Sequence, residues 1–207
     1  MTTTSQTRSS LLTRLRGSDS RAWTELVDLY GPLVTHWCIR RGLSGHAAAD
    51  CVQEVFAAVH RSIDQFKPTR VSGSFRAWLW TITSRKIVDH WRSEGRHAVP
   101  AGGSTAAANL HSVADPIAAT VDSASDVVME PREPSDANQV DALVRRAMDQ
   151  VRLEFTERTW RIFCRSVLDD QPTDRVAEEF SVSKASVRQT RSRVLRRIRC
   201  QLGDVEP

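Results

Sequence analysis

Apolar residues along the chain recur at intervals of three and four, the spacing that predicts amphipathic helices. Runs of alternating β-branched residues bounded by turns, which would predict strands, are nearly absent. The clearest helical segment lies between residues 44 and 63, where Ser44 is placed to cap a helix and Val55 and Val59 share its apolar face. The pattern therefore predicts an all-α fold.

Turn-forming residues set the ends of the predicted helices. Gly31-Pro32 separates a first helix from a second, and Gly42 is placed to cap the second helix at its C-terminus. The predicted helices cover residues 19–30, 33–41, 44–63 and 75–92, followed by 140–155, 156–167, 173–180 and 184–202.

A change in composition divides these helices into two groups of four. After Gly95 the chain is dominated by Ala, Ser, Gly, Asp and Pro, aromatic residues vanish, and no apolar stripe persists. Such a segment buries too little apolar surface to order itself, which predicts a flexible linker. We expect a disordered N-terminus over residues 1–10, helical domains over residues 11–94 and 138–203, and a linker over residues 95–137.

Basic residues are concentrated near the C-terminus, although the net charge of the whole chain is only +4. The segment from Lys184 to Arg199 holds seven Lys and Arg residues and no acid, as expected for a nucleic-acid-binding helix. The preceding residues 176–183 predict a short helix and a tight turn, which together give a helix-turn-helix. The predicted DNA-facing residues are Lys184, Ser186, Arg188, Gln189, Ser192, Arg193 and Arg196. A basic surface that contacts only solvent is the alternative.

Two motifs in the first domain carry a family resemblance. The stretch Asp50-Cys51-Val52-Gln53-Glu54-Val55-Phe56 resembles the D-x-V-Q-E-V-F signature of sigma-70-like RNA polymerase factors, extracytoplasmic-function group. Phe75-Arg76-Ala77-Trp78-Leu79-Trp80-Thr81-Ile82, followed by Asp89-His90-Trp91-Arg92, is similar to a second helix of that family. Two departures stand out: Ser84-Arg85 replaces a frequent Arg-Asn pair, and Ser181 lies where the family often has Gly in the helix-turn-helix.

The resemblance implies a sigma factor that directs promoter-specific transcription initiation. Its partners would be the clamp helices of core RNA polymerase, promoter DNA and, as a further candidate, an anti-sigma protein. The implied polymerase-binding residues are Asp50, Gln53 and Glu54, and the implied −10 DNA-binding residues are Lys67, Arg70, Trp80, Arg85, Lys86 and Arg92. The last domain would read the −35 element. A solvated helix surface is the alternative for the first set, and packing in the core is the alternative for Trp80 and Trp91.

Other functional classes find little support in the sequence. There is no Gly-rich phosphate loop, H-E-x-x-H motif or nucleophile elbow, and the six His and four Cys residues show no metal-ligand spacing. We therefore expect a protein that is not an enzyme and needs no cofactor or metal. The absence of a signal-like or membrane-spanning apolar run leads us to expect a cytoplasmic location. The competing function is a stand-alone helix-turn-helix regulator that does not bind polymerase.

Overall fold

The computed structural model describes residues 10–67, 74–97 and 137–203, and every regular element in those ranges is helical, which confirms the predicted all-α fold. The first group of helices is α1 (Leu11–Arg16), α2 (Ser20–Arg40), α3 (Gly45–Ser62) and α4 (Phe75–His97), with a 3-10 turn at Ile63–Gln65. The second group is α5 (Ala137–Arg152), α6 (Glu157–Phe163), α7 (Thr173–Glu179) and α8 (Lys184–Gln201), with a π-helical turn at Cys164–Leu168. Residues 1–9 of the predicted disordered N-terminus and residues 98–136 of the predicted linker lie outside the described residues.

Helix α2 corrects the predicted helix boundaries. Residues 19–30 and 33–41 were expected to form two helices, but α2 runs without interruption through Pro32. Proline in a helix interior removes one backbone donor and costs about 3 kcal/mol. The apolar side chains on both sides of Pro32 are buried, among them Leu29 and Trp37, and their burial outweighs that cost. Gly42 follows the helix at φ 91° and caps it as predicted, with its N–H donating to the Ile39 carbonyl.

Helix α1 is an element that the hydrophobic pattern did not predict. It has only six residues, too few for a periodic signal. Ser10 caps it by accepting a hydrogen bond from the Thr13 N–H at 3.2 Å, and Leu11, Leu12 and Leu15 are buried.

The two groups of helices share an apolar cluster. This cluster includes Leu26 and Leu29 of α2 together with Leu143 and Val151 of α5 and Val194 of α8. A smaller cluster, formed by Ile162, Val176, Ala177 and Val187, holds α6, α7 and α8 together. The division into two separate domains remains a prediction.

Candidate functional surfaces

Helix α3 presents one apolar face and one polar face, as the sequence predicts. Val55 and Val59 are completely buried, whereas the three predicted polymerase-binding residues are exposed. Asp50, Gln53 and Glu54 stand at positions i, i+3 and i+4, so they lie on one side of the helix. We call these three residues the α3 polar patch. Because the patch contributes nothing to the core, its side chains are available to a partner.

The structure brings one predicted DNA-binding residue to the α3 polar patch. The Lys86 Nζ of α4 lies 3.4 Å from the Glu54 Oε2. Lys86 also lines a groove together with Asp50, Cys51, Glu54, Asp89, His90 and Ser93. An ion pair at the protein surface contributes only about 0–1 kcal/mol. The ion pair therefore matters for where it places Lys86, at the edge of the predicted polymerase-binding surface. The sequence motifs did not indicate this position.

Trp80 is buried, with 6% of its surface exposed. Its ring meets that of Trp37 edge-on, with the centroids 5.2 Å apart, and the Arg41 guanidinium carbon lies 5.2 Å from the Trp80 ring. The structure therefore shows the alternative for this residue, which was packing in the core. Its predicted role in contacting DNA therefore requires a correction, because a base cannot stack on an indole that is 6% exposed.

Trp91 lies on the same stripe of α4 as Trp80 but is 44% exposed. Helix α2 covers Trp80 but ends at Arg40, before it reaches Trp91. The turn that follows α2 brings Gly42 next to Trp91, and a Cβ at that glycine would lie 3.5 Å from Cζ2 of the indole. The aromatic surface that the sequence assigned to Trp80 is thus offered by Trp91. Val88, one turn earlier on α4, is exposed as well, at 41%.

The other predicted −10 residues lie around this part of α4 or precede it. Arg85 and Arg92 are two turns apart on the exposed face of α4, and Lys67 is exposed just before the undescribed residues 68–73. Arg70 falls within that undescribed segment. Arg85 and Arg92 therefore share one face of α4, with Trp91 about 100° around the helix from Arg92 on one side and Lys86 about 100° from Arg85 on the other.

Helix α8 presents the predicted basic face. Val187, Val194 and Ile198 are buried, and Ser183 caps the helix by accepting a hydrogen bond from the Ser186 N–H at 3.1 Å. Ser186 is half-buried, and the remaining predicted DNA-facing residues are exposed: Lys184, Arg188, Gln189, Ser192, Arg193 and Arg196.

Three basic residues near this face make contacts within the protein. Lys184 Nζ lies 2.7 Å from the Asp174 carboxylate, and the Arg193 guanidinium carbon lies 5.4 Å from the Phe155 ring centroid. Arg197, part of the same basic run, forms a two-pronged ion pair with Glu154 at 2.6 and 2.7 Å, and both side chains are largely buried. Arg197 therefore holds α8 to the end of α5 instead of facing a ligand, which the charge pattern alone could not reveal.

The turn before α8 contains a strained residue. Ser181 adopts φ 50°, in the left-handed region that a side chain disfavours. This is the position where the resembling family often has glycine, and the backbone geometry supplies the reason. The short helix α7, the turn and α8 thus follow one another in the predicted order, with the strain concentrated in the turn.

Comparison with known proteins bears on the first group of helices. Residues 26–97, which contain most of α2 and all of α3 and α4, match the Sigma-70 region 2 family. We refer to this stretch as region 2. The α3 polar patch and the exposed face of α4 both lie within region 2, and the predicted resemblance to sigma-70-like factors of the extracytoplasmic-function group is confirmed.

Related proteins align with the chain over 75 to 81 residues. The chain is 35% identical over 75 residues to the ECF RNA polymerase sigma factor SigE of Mycolicibacterium smegmatis, which is 36% of this chain and 28% of SigE. It is 28% identical over 81 residues to SigW of Bacillus subtilis, covering 39% of this chain and 42% of SigW. It is 29% identical over 76 residues to RpoE of Cereibacter sphaeroides, covering 37% and 41%. The chain spans less than half the length of each relative.

Two further observations concern metals and membranes. Within the three described ranges, no group of three or more His, Cys, Asp or Glu side chains is arranged to hold a metal ion. Of the helices in the described part of the chain, none combines the length and apolarity needed to cross a membrane.

Proposed function

We propose that this protein is a sigma factor that binds core RNA polymerase and directs it to promoters by recognising −10 and −35 elements. The observation that carries the proposal is the α3 polar patch within a sigma-70 region 2. Its residues, Asp50, Gln53 and Glu54, are exposed on a helix whose opposite face is fully engaged in the core. Charged and amide groups presented in this way suit a rigid docking contact with a partner protein.

The exposed face of α4 is the proposed contact to the −10 element. Arg85 and Arg92 supply charge for DNA phosphates, and Trp91 offers an indole on which an unpaired base can stack. Lys67, together with Arg70 beyond the described residues, precedes this helix in the chain. Binding unpaired DNA more tightly than duplex is sufficient to favour strand opening, so this role needs no cofactor.

Helix α8 is the proposed reader of the −35 element. A major groove admits a helix of this kind, and Arg188 and Gln189 are of the types that pair with base edges. Ser183, Val187 and Val194 fix the helix, so its exposed face is presented rigidly. The exposed basic face of α8 is equally compatible with a stand-alone regulator, whereas the α3 polar patch within a region 2 favours binding to polymerase.

Polymerase binding is tested by charge reversal in the α3 polar patch. We expect Asp50→Lys with Glu54→Lys to abolish co-purification with core RNA polymerase and to leave the helical circular-dichroism spectrum unchanged. The matched control is Asp28→Lys with Asp64→Lys, which alters net charge equally at two exposed acids outside the patch. Equal retention of polymerase by both double variants would contradict the docking assignment.

Promoter direction is tested by adding the protein to core polymerase and sequencing the 5′ ends of the transcripts from genomic DNA. We expect a defined set of start sites that core polymerase alone does not produce. A stand-alone regulator would instead bind duplex DNA without polymerase and produce no new start sites.

A further inference from the structure

Two thiols meet in the interior of region 2, where α2 packs against α3. Cys38 lies on the buried face of α2 with Val34 and Trp37, and Cys51 lies on the buried face of α3 with Val55. The exposed fractions of Cys38 and Cys51 are 0% and 4%. The two side chains share a hydrogen bond, in which the Cys38 thiol donates to the Cys51 sulfur. We call these two residues the α2–α3 thiol pair.

Cys51 also borders the surface groove between α3 and α4. The walls of this groove include Asp50 and Glu54 of the α3 polar patch, together with Lys86 and His90 of α4. The groove has a volume of about 190 Å³. A water molecule in the liquid occupies about 30 Å³, so a reagent the size of hydrogen peroxide has room to enter. The thiol pair is therefore closed to solvent on the Cys38 side and reachable from the Cys51 side.

The surroundings of Cys51 favour its thiolate. The hydrogen bond from Cys38 lowers the pKa of the Cys51 thiol below its ordinary value, and it outweighs the opposing effects of burial and of Glu54. Burial instead raises the pKa of Cys164 and that of Cys200. Because the thiolate is the form that reacts with peroxides, Cys51 is the cysteine of this chain best suited to oxidation.

Position 51 lies among the residues of the α3 polar patch. The D-x-V-Q-E-V-F signature leaves this position open, so the thiol is a feature of this chain and not of the motif. A disulfide bond is about 2.05 Å long, shorter than the distance between two hydrogen-bonded sulfur atoms. Closing such a bond to Cys38 draws residue 51 towards α2 and displaces Asp50 and Glu54, which stand one and three positions away on the same helix.

We propose that the α2–α3 thiol pair is an oxidation site, at which a hydroperoxide converts Cys38 and Cys51 into a disulfide that weakens binding of the α3 polar patch to polymerase. This inference rests on the proposed function. It adds to that function a direct response of the protein to peroxide, carried by two residues of region 2.

The reaction balances with hydrogen peroxide as the oxidant. The Cys51 thiolate attacks one peroxide oxygen, the O–O bond breaks, a sulfenic acid forms at Cys51, and the other oxygen takes up the proton that the thiol released and leaves as water. The Cys38 sulfur then attacks the Cys51 sulfur, the S–O bond breaks, and the Cys38 proton leaves with that oxygen as a second water. The two thiols are oxidised to one disulfide, and the peroxide is reduced to two waters.

Peptide mapping of the full-length protein after treatment with hydrogen peroxide tests the site. Trypsin places Cys38 and Cys51 in different peptides, residues 22–40 and 42–61, so a disulfide joins the two peptides in a digest made without reductant. We expect this linked pair to be the main product and to disappear on addition of dithiothreitol. Recovery of the two peptides unlinked after treatment would overturn the proposal.

Serine variants identify the thiol that the peroxide attacks. Cys38→Ser keeps a hydrogen-bond donor beside Cys51 but cannot form the disulfide. Peroxide should therefore leave Cys51 as a sulfenic acid in this variant, and dimedone should label it. Cys51→Ser should give no dimedone label at Cys38. A label on Cys38 in place of Cys51 would overturn the assignment of Cys51 as the attacked thiol.

Titration with core RNA polymerase, after the peroxide has been removed, measures the consequence. Oxidation of the unaltered protein should weaken binding about tenfold, the equivalent of one charge-assisted contact, and dithiothreitol should restore it. The double variant Cys164→Ser with Cys200→Ser keeps the thiol pair and should respond in the same way. Cys51→Ser should bind equally before and after treatment.

Equal binding of polymerase by the oxidised and the reduced unaltered protein would overturn the inference. This comparison uses no substitution, so it does not depend on the folding of a variant. Failure of the reduced protein to bind polymerase would instead contradict the proposed function, and the two failures are thereby distinguished.

Discussion

The Trp80 ring meets the Trp37 ring edge-on, with the centroids 5.2 Å apart, and this contact joins α4 to α2 in the core of region 2. Both indoles are buried, at 6% and 0% exposure. Aromatic pairs of this geometry contribute about 0.5–1.5 kcal/mol beyond the area that they bury. Trp80 is therefore part of what holds α4 in position, and Trp91 on the same stripe is the tryptophan that remains accessible.

Removing the Trp80 side chain should cost stability. We expect Trp80→Ala to lower the free energy of unfolding by about 3–5 kcal/mol, as truncation of a buried aromatic residue does. Urea denaturation of the full-length protein measures this loss. Trp91→Ala is the control at the exposed end of the stripe and should cost about half as much or less. Similar losses for both variants would show that the two rings are equally buried in solution.

The same two variants should also differ in their effect on the opening of promoter DNA. Trp91→Ala should bind polymerase normally and reduce open complex, read by the permanganate reactivity of unpaired thymines. A promoter with a premelted −10 region should restore part of this loss, because the cost of unpairing has already been met. If Trp91→Ala opens promoters as well as the unaltered protein, the indole does not contact the displaced strand.

The difference in burial between Trp80 and Trp91 shows how far the sequence can predict this site. Periodicity places both on one stripe of α4, but it cannot tell where a neighbouring helix stops covering that stripe. That boundary depends on α2, which ends at Arg40. The α3 polar patch was predictable because its positions follow from the period of a single helix. The contact between α2 and the end of α8 was not predictable, since it joins Tyr30 to Leu202, residues far apart in the chain.

Ionisation of Glu25 should make the stability of the folded protein sensitive to acid. Partial burial raises the pKa of the Glu25 carboxyl, but hydrogen bonds from Arg14 and Gln201 outweigh that effect and hold its pKa below the ordinary value. A pKa lowered by folding adds stability above the ordinary glutamate pKa of about 4.3, and that stability is lost as pH falls through the lowered value. We expect the urea midpoint to fall less between pH 7 and pH 3.5 in Glu25→Gln than in the unaltered protein.

The control for this pH dependence is Glu178→Gln, an exposed glutamate of α7. Its acid sensitivity should match that of the unaltered protein, because the change leaves the Arg14 and Gln201 contacts of Glu25 in place. A Glu25→Gln protein whose midpoint falls as steeply as that of the control would mean that the Arg14 and Gln201 contacts contribute nothing in solution.

Replacing Ser181 with glycine should stabilise the C-terminal helices. A side chain at φ 50° costs about 1–2 kcal/mol, and glycine loses about 0.5–1 kcal/mol through its greater freedom in the unfolded chain. We therefore expect Ser181→Gly to gain roughly 0.5–1 kcal/mol in urea denaturation. Ala185→Gly, in the first turn of α8, should instead be destabilising, since its backbone is helical. Destabilisation by both changes would show that the turn relaxes in solution.

Substitutions in α8 should distinguish the residues that read bases from those that bind phosphates. Arg188→Ala and Gln189→Ala should each change base preference in the −35 duplex, with about 1–3 kcal/mol of discrimination lost per paired contact. Arg196 is exposed two turns further along α8, and we expect it to contact a phosphate. Arg196→Ala should therefore weaken binding evenly across sequences. It should also lower the slope of log affinity against log salt concentration by about one unit. Binding selections from a randomised duplex, repeated at several salt concentrations, measure both effects. Arg199→Ala, an exposed arginine outside the predicted set, is the control for loss of charge alone. If all four variants lose affinity equally for every sequence, α8 is an electrostatic anchor and the −35 element is read elsewhere.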